Sequence, residues 1–378
     1  TRGISLFLVP KFMVNDDGSI GARNDVRAAS IEHKLGIHAS PTCVMRFGDD
    51  GGAIGYLVGE ENRGLEVMFK IMNAARLGTG LQGVSLGEAS FQGALAYAKE
   101  RLQMRALTGP KNPDGAADPI IVHPDVRRML MTQKALVEGS RAFIYWLARL
   151  NDQTAYGCEE DAAAAEDLMA LLTPIAKAFC TETGFEVTSL GVQVFGGHGY
   201  IREHGMEQLM RDMRIAMIYE GTTGIQSLDL IGRKVMGSGG KLLGNFTKKV
   251  HKLCESLKQH DTLAELSASL AEANTLWGDI TMQIGEKAME NPDEIGAASV
   301  DYTMFSGYVV LGYMWLQMAE VANQKLAQGD ADPAFYQAKL ATARFYFKRI
   351  LPRTQAHAAA TLAGAESVMA LDEDAFSF

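Results

Sequence analysis

The sequence predicts a mainly α protein: a partial β-domain over residues 1–59, a four-helix bundle over 60–238 and an additional helical domain over 239–378. Three observations carry this. Before Gly59, short runs of β-branched and aromatic residues alternate with polar, Gly-rich connections. From Leu65 onward, apolar residues recur at helical spacing, with small residues marking close packing. Gly237-Ser238-Gly239-Gly240 then interrupts the helical pattern and reads as a boundary.

In order, Ser5–Val9, Thr42–Phe47 and Ala53–Val58 read as strands, joined across Asn15-Asp16-Asp17-Gly18 and Gly48 to Gly52. Glu60-Glu61-Asn62-Arg63-Gly64 reads as a turn into a long helix, Leu65 to Arg101, punctuated by Gly78, Gly80, Gly83, Gly87 and Gly93. Ala106 to Ala117 is a Gly-, Pro- and Asn-rich loop. Asp125–Leu150 and Asp161–Leu190 follow as helices, the second strengthened by Ala163, Ala164 and Ala165. Gly191–Tyr200 reads as a Gly-rich turn, Glu207–Met213 as a short helix and Gly224–Met236 as the fourth long helix. Four long helices with short or structured links form an antiparallel bundle. Beyond the boundary, Lys241–Gln259, Thr262–Met289, Ala297–Gln328 and Pro333–Leu371 read as helices without a catalytic constellation. The chain opens without an initiator Met on a strand-like run, Ile4 to Val9, which suggests that further strands precede it.

Composition narrows the function. A chain of 378 residues, 47% hydrophobic and 21% charged, accommodates two or three domains with sizeable cores. With 36 Lys and Arg against 45 Asp and Glu, its net charge of −9 argues against nucleic-acid binding. Cys43, Cys158, Cys180 and Cys254 lack CxxC spacing and read as free thiols of a reducing, cytoplasmic compartment. The eight histidines form no HExxH or HxxEH pattern, so no metal is expected. Thr1-Arg2-Gly3 does not open a signal peptide. Tyr302 to Ala319 carries no charge and nearly reaches membrane-spanning length, but its Ser, Gly, Tyr and Gln residues and its flanking Asp301 and Glu320 favour a buried core helix.

One stretch carries chemistry: Arg211 to Gln226, RDMRIAMIYEGTTGIQ. It places Glu220 between the apolar run Ile215–Tyr219, which offers no positive partner, and a flexible Gly-Thr-Thr-Gly turn. A desolvated carboxylate there has a raised pKa suited to abstracting a proton near neutral pH. Gly221 permits close backbone approach to a ligand, and Thr222 and Thr223 supply hydroxyls and N–H groups. The same pattern also describes a solvated glutamate at a helix end, and these residues by themselves leave both readings open.

Taken together, the motifs resemble the acyl-CoA dehydrogenase family of flavoproteins from about Gly3 to Met236. GISLFLV is similar to the strand ending the family's β-domain, and LVGEENRGLEVMF (Leu57–Phe69) to its link into the helical domain. VQVFGGHGY (Val192–Tyr200) and LMRD…IYEGT (Leu209–Thr222) are similar to its two most specific signatures. The stretch EHKLGIHASPTCVMRFG and the region after Gly240 resemble a longer subgroup with an extra C-terminal helical domain, which includes 3-methylmercaptopropionyl-CoA dehydrogenase-like members.

The resemblance implies FAD-dependent formation of a double bond between the α and β carbons of an acyl-CoA thioester, giving the trans-2-enoyl-CoA. Glu220 would be the general base, with its backbone N–H supporting the developing enolate oxygen. The family's alternative base position, on the first long helix, is Ala75, which cannot serve. Arg101 fits the position contacting the FAD pyrophosphate. Gln193, Gly196 and Gly197 fit the loop that receives the adenosine end from a neighbouring subunit, and Thr222 and Gly224 fit the FAD-contacting segment after the base. Asn73, Arg76, Tyr219 and Gly221 fall at substrate-facing positions. Alternatives stand beside some of these: Arg76 in an ion pair of the bundle, Arg101 as a helix C-terminal cation, Gly196-Gly197 as a helix stop, His198 as a turn residue. Gly224, Met104 and Pro124 depart from residues common among relatives. The family also implies electron-transfer flavoprotein as acceptor and a homodimer or homotetramer. An acyl-CoA oxidase and a non-catalytic helical assembly module are the competing readings. Without the family's N-terminal helical domain, this chain is expected to bind FAD weakly and to be inactive alone.

Overall fold

A computed structural model of the chain describes residues 2–329 and 332–377. The chain divides into two compact units, residues 1–75 and 76–378.

Among the described residues of the first unit, six short strands form three antiparallel pairs. β1 (Leu6–Leu8) pairs with β6 (Tyr56–Val58), so that Phe7 faces Leu57. β2 (Phe12–Val14) and β3 (Ile20–Arg23) form a hairpin around the Asn15–Gly18 turn, where Gly18 has φ +81°. β4 (Val26–Ile31) pairs with β5 (Cys43–Phe47). Asn24, buried between connections, donates from Nδ2 to the carbonyls of Pro10 (2.9 Å) and Ile54 (2.8 Å) and accepts from the N–H of Ile54 (2.9 Å). The three strands expected from sequence are present in shortened form. β2, β3 and β4 are additional, and in β4 the small residues at the centre of VRAASI give no strand signal.

α1 (Gly64–Glu100) leads into the second unit. There α2 (Pro124–Tyr156) starts on a proline, whose missing N–H costs nothing in a first helical turn. α3 (Glu159–Phe195) runs past the expected end at Leu190, through the segment read as a turn, and stops at Gly196, whose φ of +61° a side chain would strain. α1 and α3 touch through glycines: a Cβ on Gly83 would stand 2.1 Å from the carbonyl oxygen of Cys180, and one on Gly184 would stand 2.8 Å from the Cα of Gly83.

α4 (Met206–Arg214) is short, as expected. The predicted fourth long helix is regular only over α5 (Thr223–Leu228). It continues in wider, π-type turns through Asp229–Val235. α6 (Lys241–Leu257), α7 (Ala264–Glu290) and α8 (Asp293–Ala327) follow. The segment Pro333–Leu371, expected as one helix, is three: α9 (Pro333–Phe345), α10 (Arg353–Thr361) and α11 (Glu366–Met369). Pro352 cannot donate a ladder hydrogen bond, and Gly364 at φ +86° turns the chain after α10. Asp332 caps α9 by accepting from the N–H of Phe335 at 3.0 Å.

Tyr302 to Ala319 lies in the middle of α8 and is largely buried, with Tyr302, Phe305 and Trp315 fully so. Among the described residues no helix is long and apolar enough to cross a membrane. The division expected at Gly237–Gly240 falls inside the second unit. One hydrophobic cluster holds Leu136, Phe143 and Phe179 from before that turn together with Phe246, Trp277 and Trp315 from after it.

Candidate active site

Glu220 stands in the turn between α4 and α5, half-buried, with φ +58°. A non-glycine residue in this left-handed region is strained by roughly 1–2 kcal/mol and stays there only when its surroundings hold it. Two buried side chains supply the restraint. Gln226 Nε2, from α5, donates to the carbonyl of Glu220 at 3.0 Å. Lys177 Nζ, from α3, donates to the carbonyl of Gly221 at 2.6 Å. Gly221 itself has φ +91°, and a Cβ there would fall 2.4 Å from Gln226 Nε2, so any other residue would be strained and would displace the Gln226 amide. Among the described residues, the backbone N–H of Glu220 donates no hydrogen bond.

The surroundings of Glu220 differ from the expectation in one respect. The preceding residues are apolar, but the fold brings a cation to the turn. Lys177 is fully buried, as are its neighbours along α3, Ile175, Ala176, Ala178 and Phe179. Burial pushes its ammonium down to about 8, with Arg76 acting in the same direction, while the carboxylates of Glu182 and Glu220 oppose both. Glu182 accepts a 2.6 Å hydrogen bond from Thr223 Oγ1, a second tie between α3 and the turn. The sequence reading missed Lys177, Glu182 and Gln226. The one signal was a lone cation in the otherwise uncharged run Leu168–Thr181, interpretable only once α3 is known to be central.

Three of the other expected residues have definite partners. Arg76, on α1, lies 3.9 Å from the Asp229 carboxylate, both of them buried, so it takes part in an ion pair of the bundle. The Tyr219 hydroxyl donates to Gln82 Oε1, and burial raises its pKa. Thr222 caps α5, its Oγ1 accepting from the N–H of Ile225 at 3.2 Å. Gly224 occupies the first turn of α5. Asn73 stands three positions before Arg76 on α1, in the first unit.

A second cluster unites the remaining residues. Arg101, Gln193, Gly196 and Gly197 line one open groove of about 460 Å³, with Tyr97, Met104 and His198. Tyr97 stacks on Phe195, with ring centroids 4.1 Å apart, and its hydroxyl meets His198 Nδ1 at 2.8 Å, so His198 is tied into the wall. Nothing lies within 4 Å of the positions that side chains on Gly196 or Gly197 would occupy, so their backbone faces open space. Arg101 has no carboxylate partner among the described residues. The far wall is the loop after α1, organised by the buried Asp118. Burial pushes the Asp118 carboxyl up, but the N–H groups of Ala106, Asn112 and Lys111 and the Arg105 guanidinium outweigh it and hold it at about 2.

Comparison with known proteins gives this geometry a family context. The family model described as acyl-CoA dehydrogenase, C-terminal domain, matches residues 62–236, and that described as acetyl-CoA dehydrogenase C-terminal like matches 246–372. The chain is 42% identical to the 3-methylmercaptopropionyl-CoA dehydrogenase of Ruegeria pomeroyi over 93% of its own length and 58% of that protein. It is 33% identical to a broad-specificity linear acyl-CoA dehydrogenase of Mycobacterium tuberculosis, over all of its own length and 64% of that protein. It therefore spans about three fifths of these relatives. In fold it is similar to an acyl-CoA dehydrogenase of Bacillus anthracis solved in complex with FAD, with a TM-score of 0.72 at 21% identity over 94% of this chain and 60% of that one.

Proposed function

Because the chain belongs to the acyl-CoA dehydrogenase family, we propose that it carries the general base and part of the FAD site of an enzyme that oxidises acyl-CoA thioesters to trans-2-enoyl-CoAs. The observation that carries the reading is Glu220. It is a half-buried carboxylate in a strained turn restrained from two helices, and its own N–H is left to donate to a ligand.

Glu220 removes the α proton of the thioester. That proton is weakly acidic, so negative charge gathers on the thioester oxygen as the C–H bond breaks. A hydrogen bond from the Glu220 N–H to that oxygen grows stronger as the charge develops, which lowers the barrier. FAD, when bound, accepts the β hydrogen as hydride. The groove residues fit a dinucleotide: Arg101 pairs with phosphate oxygens, Gln193 offers an amide, and the Gly196–Gly197 backbone allows a planar group to approach closely. In this reading the groove serves a neighbouring subunit's FAD, which makes the protein a homodimer or homotetramer. Thr222 and Gly224 border the flavin side of the turn, and Arg76, Tyr219 and Gly221 border the acyl-CoA. The enzyme is cytoplasmic and passes its electrons to electron-transfer flavoprotein.

The test is Glu220→Gln in the whole protein. Enoyl-CoA formation falls by about 10²–10⁴-fold while FAD content is unchanged. Turnover at the wild-type rate would remove Glu220 from the mechanism.

A further inference from the structure

A glutamate at φ +58° followed by a glycine at φ +91° is a turn with cheap alternatives, because glycine lets the neighbouring peptide planes rotate. Two consecutive carbonyls are nevertheless held, that of Glu220 by Gln226 and that of Gly221 by Lys177. We propose that Lys177 is a positioning residue for the base: from α3 its ammonium fixes the Gly221 carbonyl and so, together with Gln226, keeps the carboxylate and N–H of Glu220 in their reactive orientation. The inference rests on the reading of Glu220 as the base.

Packing does not explain an ammonium at this place. Lys177 is fully buried, and an apolar side chain of similar shape would fill the same space without the cost of burying a charge. The group is instead used at a specific atom, 2.6 Å from the Gly221 oxygen. Its two flanking carboxylates have different tasks: Glu182 holds the Thr223 hydroxyl, and Glu220 is the base. Lys177 thus joins the rigid central helix to the strained turn that carries Glu220. α3 is a sound anchor, since its residues from Leu171 to Thr181 are all buried.

The test compares Lys177→Met, Lys177→Gln and Glu220→Gln in the whole protein with FAD bound. Lys177→Met keeps the stem and loses the ammonium, and Lys177→Gln keeps a shorter, uncharged donor. Per bound flavin, kcat in Lys177→Met falls about 10- to 100-fold while KM for the acyl-CoA stays within about twofold, because orientation and not binding is lost. Lys177→Gln loses less. Without substrate or FAD, the backbone amides of the 219–223 turn exchange with solvent faster in Lys177→Met than in the wild type. Wild-type kcat per flavin in either folded Lys177 variant, beside an inactive Glu220→Gln, overturns the proposal and leaves the base in place. A loss of activity matched by an equal loss of flavin also overturns it, since Lys177 would then serve structure alone. An active Glu220→Gln instead refutes the reading on which the proposal rests. Should Lys177→Met fail to fold, the same criteria apply to Lys177→Gln.

Discussion

Lysine usually reaches water along its own stem, and at position 177 that escape is closed. With its ammonium pushed down to about 8 by burial, the folded chain binds fewer protons than the unfolded one between about pH 8 and the usual lysine range. The sign follows. The group opposes folding fully below about pH 8, and the penalty fades as pH rises toward 10.5, so this residue makes stability increase with pH over that window. The gain amounts to about 3 kcal/mol. Other groups act the opposite way at high pH, among them the Cys254 thiol, which burial pushes up to about 11. The clean measurement is therefore the difference between wild type and Lys177→Met in urea unfolding at pH 7.5 and pH 10. The wild type should gain on the variant as pH rises, and parallel behaviour would show that Lys177 is not perturbed. Glu220 was legible in the sequence because its motif surrounds it. Lys177 was not, because one cation in a helical run normally marks the solvent face, and only the packing of α3 on every side makes it internal.

At the scale of elements, glycine content was readable and glycine purpose was not. The small residues of α1 announce close helix packing, yet Gly78 faces open space while Gly83 is pressed against the α3 backbone. The distinction depends on where α3 crosses, which periodicity does not encode. Gly83→Ala forces a Cβ to within 2.1 Å of the Cys180 carbonyl oxygen, a backbone atom that cannot swing aside. The helices must separate, at a cost of about 1–3 kcal/mol. Because Lys177 and Glu182 lie on the same stretch of α3, Gly83→Ala should also lower kcat. Gly78→Ala should raise helix stability slightly and leave kcat unchanged. Equal melting temperatures for the two variants would show that the crossing has room for a methyl group at Gly83. Helix boundaries show the same division: Gly196 ends α3 where a positive φ is needed, but the earlier Gly191, equally suggestive in sequence, lies inside the helix.

At the scale of the whole molecule, the helices after Gly240 are part of the support of the site. The sequence suggests a separate domain there, because four glycine and serine residues interrupt the pattern. In the structure, α8 and α10 complete the interior of the bundle. Trp315 Nε1 donates to the Ala135 carbonyl at 3.0 Å, and Phe179, two residues from Lys177, packs edge-on against Tyr308 with centroids 4.9 Å apart. Arg353 closes a bidentate pair with Glu186 of α3 at 2.7 and 2.8 Å. Removing everything after Gly240 would therefore strip α3 of its apolar cover along the segment that carries Lys177 and Glu182, exposing Phe179 and leaving Glu186 without its arginine. A bundle so uncovered cannot recover the lost burial, since each large side chain left open forfeits about 1.5–3 kcal/mol. The expected result is that the chain cut at Gly240 keeps helical circular dichroism but loses its cooperative thermal transition and binds hydrophobic dyes. Arg353→Met, a milder cut of the same tie, should lower the melting temperature without abolishing the transition. If the shortened chain instead melts as sharply and as high as the intact one, the region after Gly240 is an independent module and α3 is held by the bundle alone.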